Sequence, residues 1–122
     1  MTTDDDRMAA LRDLLELHLP VATALEALRR FSWDSDELVT VTRAQISAVL
    51  DRFAAGRLTA DEVVEWAESV HLRDDIAREE GAEDVVNEVL VEMSSPELFG
   101  ALGEIVPDLK ARLGGLGEGL DR

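Results

Sequence analysis

Glu68 and His71 stand three residues apart, a spacing that puts two side chains on one face of a helix where they could share a metal ion. Asp74 or Asp75 follows closely enough to add an oxygen ligand. Di-iron bundles use two such Glu-x-x-His pairs and two further glutamates. This chain has one pair, and its other histidine, His18, is followed by Leu19-Pro20. A lone pair at a helix end is more often solvated than metallated, so no metal is expected. A metal-binding or hydrolytic function on Glu68, His71 and Asp75 remains an alternative.

Other spacings offer less. Asp51 to Glu62 overlays part of a calcium loop, with Asp51 first, Gly56 sixth and Glu62 twelfth. The third and fifth places are Phe53 and Ala55, which give a hard cation no side-chain oxygen, so a plain helical hairpin fits better. His18 occupies an apolar stripe, which invites a catalytic or pH-sensing role, although a histidine bonded to backbone at a helix end is commoner. Asp74-Asp75 and Glu79-Glu80 could form an acid/base cluster, but few flanking apolar residues are there to desolvate them. Gly115 to Gly119 lacks the strand, lysine and spacing of a phosphate loop. With no cysteine, there is no thiolate ligand, disulfide or cysteine nucleophile. These absences favour a protein that is not an enzyme and needs no cofactor.

The elements that would position these residues read as helices. Leu11, Leu14, His18, Val21, Leu25 and Leu28 mark one helical stripe, interrupted by Pro20. The helix either kinks at Pro20 or stops near His18 and restarts. Ser32 to Asp36 favours turns, and Trp33 among them is either a lid on the core or an exposed anchor. Val39 and Val41 alternate with threonines as a strand would, but no second strand suggests itself, so Phe31 to Thr42 reads as loop.

Thr42-Arg43-Ala44-Gln45 and Thr59-Ala60-Asp61-Glu62 are capping boxes, and Gly56 is placed to end the first of the two helices they open. They predict a central helical hairpin over about 43–55 and 60–72, with Trp66 in the core. A further helix is expected from Ala82 to Ser94, a short turn after Ser95-Pro96, and a last helix over roughly Pro107 to Leu113. The fold expected is all-α, a compact bundle of five to seven helices. Residues 1–113 form a single helical domain, and residues 114–122 form a Gly-rich flexible tail.

The charge is uneven. The 122 residues carry 27 Asp and Glu against 12 Lys and Arg, a net −15. Residues 59–97 alone hold thirteen acids against Arg73 and Arg78. Such a balance opposes binding of nucleic acid, which needs clustered cations. No apolar run approaches the roughly 20 residues of a membrane span, and the start Met1-Thr2-Thr3-Asp4-Asp5-Asp6 is the reverse of a signal peptide. A cytoplasmic protein with no membrane partner is the expectation. Acids in first turns suit the helix dipole and favour solubility. Glu65, Glu68, Glu88 and Glu92 lie beyond first turns with almost no basic neighbours in sequence, and Glu88 and Glu92 repel across one turn.

The blocks Gly56-Arg57-Leu58-Thr59, Glu65-Trp66-Ala67-Glu68, Arg73-Asp74-Asp75-Ile76 and Ser95-Pro96-Glu97-Leu98 resemble those of short all-helical bacterial proteins of unassigned function. The resemblance covers residues 43–99, implies a bacterial source and a helical fold, and transfers no functional residue.

The reading that follows is a non-enzymatic interaction module, docking a basic protein partner through Glu65, Glu68, Asp74, Asp75, Glu88 and Glu92, with Trp33 as an anchor. Small acidic inhibitors such as the immunity proteins of nuclease toxins are an analogy on size and charge. A self-associating structural subunit, a homo-oligomer, is the other alternative.

Overall fold

The computed structural model describes residues 3–31 and 36–118. Trp33 lies outside them. Among the described residues the fold is all-α, with seven helices and one very small sheet, around an aliphatic core in which Trp66 is the largest fully buried side chain.

The apolar stripe before Phe31 belongs to two helices, α1 (Thr3–Leu15) and α2 (Val21–Leu28), and Pro20 is the residue preceding α2. Between them the chain closes α1 with the pair of bonds His18 N–H to Asp13 and Leu17 N–H to Leu14. That is a Schellman ending, which calls for a left-handed residue at Leu17. Its φ is indeed 50°, although a leucine there costs about 1–2 kcal/mol. The buried Leu17 side chain offsets part of this.

The hairpin forms as its caps dictate. In α3 (Arg43–Ala54) and α4 (Ala60–Leu72), Thr42 and Thr59 accept from the amides of Gln45 and Glu62, whose side chains reach back to the cap amides. Gly56, at φ 79°, ends α3 with the same pair of bonds that ends α1. Trp66 donates its indole N–H to the Leu14 carbonyl at 2.8 Å, pinning α4 to the end of α1.

The reading of Phe31 to Thr42 as loop is corrected by strand β1 (Val39–Val41), which pairs in parallel with β2 (Ile76–Arg78). Val39 lies opposite Ile76 and Val41 opposite Arg78, and Val41 and Ile76 are buried. The partner strand escapes notice because it is three residues long, ends in an arginine and sits in a charged stretch. A parallel partner also comes with no turn signature, since a whole hairpin of helices intervenes.

Helix α5 (Glu83–Ser94) packs most extensively on α4 and buries Val86, Val89, Leu90 and Met93, while Val85 is half-buried. After the single turn α6 (Pro96–Phe99) comes α7 (Leu102–Glu118), which begins earlier than Pro107. Pro107 leaves the Gly103 carbonyl without its helical donor. Leu102, Val106, Leu109 and Leu113 still bury one continuous side of α7. The helix runs on through Gly114 to Glu118, and residues 119–122 lie outside those described.

Candidate functional site

Of the acids expected on a docking surface, Asp75 is placed inside the protein. It is fully buried, and its carboxylate accepts from Arg7 Nε at 2.9 Å and from Arg73 Nε and Nη2 at 2.9 Å each. Its main-chain carbonyl accepts from Leu38 N–H at 2.9 Å. One residue therefore gathers α1, the α4–β2 junction and the approach to β1. A carboxylate so held withstands burial because its charge is paired and its oxygens are bonded. Asp75 is thus corrected from a surface contact to an internal clasp.

Glu92 is half-buried and already paired within the fold. Arg112 of α7 approaches it with two donors at 2.7 Å, and also stands 3.1 Å from Asp108 and 3.9 Å from Glu88. The repulsion between Glu88 and Glu92 is relieved by a cation from another helix, invisible to a count along the chain. Glu88 keeps an exposed side chain. Glu79, read as part of an exposed cluster, is held by the side chain and main-chain N–H of Arg43, whose donors keep its carboxyl below the usual carboxylate range.

The metal-ligand set does not assemble. Glu68 points to solvent, Asp75 faces inward, and His71 Nδ1 is buried without a hydrogen-bond partner. Burial, then the Arg78 guanidinium, lowers the His71 pKa, and such a positive neighbour also disfavours a cation. No group of three or more His, Asp or Glu side chains among the described residues could hold a metal ion. In the calcium-like stretch, Asp51 pairs with Lys110 and Glu62 is occupied by its cap. His18 is exposed rather than part of the core, with Nδ1 3.1 Å from Asp13, because the left-handed turn buries Leu17 in its place.

Glu65, Glu68 and Asp74 remain exposed. Glu65 and Glu68 lie on the outer face of α4 with Ser69 and Leu72, one and two turns along. Facing them across a groove of about 460 Å³ are Ala22, Leu25, Glu26 and Arg29 of α2 and its C-terminus, with Glu26 and Arg29 paired at 3.4 Å. Leu72 is 45% exposed at one end of the groove. The pattern legible in hindsight is Leu72 falling four residues after Glu68 on a face otherwise polar.

The two arginines of residues 59–97 both bond within the fold, Arg73 buried and Arg78 half-buried. Arg73 is 6% exposed against Asp75. Arg78 donates to Asn87 Oδ1 at 2.8 Å and to the carbonyls of Ile76 at 2.7 Å and His71 at 2.8 Å, stapling α4, β2 and α5. Neither role carries a sequence signal, since both depend on neighbours brought by the fold. No helix among the described residues is long and apolar enough to cross a membrane. Comparison with known proteins finds no matching family model, no matching curated protein and no matching solved structure.

Proposed function

We propose that this chain is a non-enzymatic interaction module that binds a basic protein, in the manner of a small acidic inhibitor. One observation carries the reading. The most acidic third of the chain commits both of its own arginines to bonds within the fold, leaving Glu65 and Glu68 outward and Asp74 exposed beside the charge of Arg78. A surface whose cations are spent inside projects its negative field into solvent. Such a field raises the encounter rate with a positive partner and is screened by salt.

The immobilised chain should retain a basic protein from a lysate of the source organism at about 50 mM salt and release it near about 500 mM, where screening shortens the field several-fold. Reversing Glu65, Glu68 and Asp74 to lysine should abolish retention while the melting temperature holds. Retention that ignores both salt and the reversals would dispose of the reading.

A further inference from the structure

The groove between α2 and α4 has a shape and a charge pattern that together select an occupant. Its two walls are helix faces, with Leu25 and Glu26 three and four residues after Ala22 on one side, and Glu65, Glu68 and Leu72 at spacings of three and four on the other. Side chains at such spacings form ridges along a helix, and a groove between two helices can seat the ridge of a third. Leu25 and Leu72 supply apolar contact from the two walls, and Leu72 stands open to solvent in the free protein. The rim is negative on balance: Glu65 and Glu68 make no ion pair with a described residue, while the two cations of the lining, Arg29 and Arg73, stand against Glu26 and Asp75.

An anion meets carboxylates here and is repelled. A partner strand finds no unpaired main-chain edge, because both walls are helical with their backbone bonds internal. A helix with a narrow apolar stripe flanked by lysine or arginine meets both requirements, since long cationic side chains lie along apolar surface and extend their charge to the rim.

We propose that the α2–α4 groove docks a cationic amphipathic helix of a partner protein. This rests on the reading of the chain as a module for basic partners, and adds to it a place and a secondary structure. The apolar face of the incoming helix covers Leu25 and Leu72, and its flanking cations pair with Glu65 and Glu68. At 1.5 Å per residue, about 14 residues would span the 13-residue α4 that forms one wall.

The probe is a labelled peptide of about 14 leucines and lysines, with leucines at helical spacing along one face. A scrambled isomer of the same composition has no such face. Fluorescence anisotropy with the full chain at about 50 mM salt compares the two. The amphipathic peptide should bind at least about tenfold more tightly than the isomer. The pair Glu65→Lys with Glu68→Lys, and separately Leu72→Asn, should each weaken it by about tenfold. Glu80→Lys with Glu97→Lys, an equal change of charge away from the groove, should weaken it by less than about threefold. Glu65→Gln with Glu68→Gln repeats the test without reversal should the lysine pair unfold the chain.

Equal binding of the two peptides, or equal losses from the two charge-reversed pairs, overturns the groove and leaves a diffuse acidic surface as the binding element. Binding of neither peptide overturns the groove and the basic-partner reading together.

Discussion

Arg52 donates from Nη1 to the main-chain carbonyl of Leu17 at 3.0 Å, and Leu17 is the one described residue other than glycine with a positive φ. The same guanidinium reaches the Glu16 carbonyl at 3.3 Å. It thus sits at the negative end of the α1 dipole, bonding carbonyls that the end of the helix leaves without amide partners. A cation from α3 holds in place a turn that leucine alone would disfavour.

Arg52→Ala should therefore destabilise the protein by about 1–2 kcal/mol, the scale of a hydrogen bond from a charged donor at a helix end. Urea denaturation checks the size. Hydrogen exchange checks the place, with the gain in exchange rate larger at Leu17 and His18 than in helix α4.

Asp75→Asn keeps the shape of the clasp and removes its charge, leaving Arg7 and Arg73 buried against a neutral amide. Removing one partner of a buried ion pair costs about 3–5 kcal/mol, a large fraction of the stability of a small domain. Equilibrium unfolding should show that loss. A double-mutant cycle with Arg7→Met should show strong coupling, because the arginine is less useful once the carboxylate is gone.

Burial and the nearby Arg78 guanidinium hold His71 below its ordinary pKa of 6.5. The unfolded chain accepts a proton more readily than the folded one, so protonation favours unfolding. The stability contributed by the neutral imidazole is complete above about pH 6.5 and is lost as pH falls from there towards the folded value. Urea midpoints should decline between about pH 7 and 5.5, and His71→Gln should flatten that decline. Glu79 acts in the same direction at lower pH. Its carboxyl is held below 4.5 by Arg43, so its contribution is present above that value and is lost as acidification proceeds.

What sequence could reveal depended on the distance over which the determining contacts act. The α3–α4 hairpin was legible because Thr42 with Gln45, Thr59 with Glu62, and the left-handed Gly56 complete their bonding within a few residues. Pro20 marked a real break, though the choice between kink and stop needed the Leu17 turn. Strand β2 was hidden because its partner is a hairpin away, and Asp75 read as surface because Arg7 lies 68 positions earlier. Glu92 likewise lacks a visible partner in sequence, because Arg112 is supplied by α7. For Asp75 and Glu92, a charged residue in a polar stretch is indistinguishable from a solvated one until the fold places Arg7 or Arg112 beside it.

The pairing of Val39 with Ile76 has a kinetic side. Closing a flexible chain between positions that far apart costs entropy that grows with the logarithm of the intervening length. A folded α3–α4 hairpin shortens that span to the distance between its own two ends. The expected order is that the locally capped helices α3 and α4 form first and the strands meet as a late step. Weakening the caps at Thr42 or Thr59 should slow folding, whereas substitutions at Val41 or Ile76 should mainly hasten unfolding, a division that stopped-flow chevrons resolve. The two short strands are then the latch that closes last and opens first.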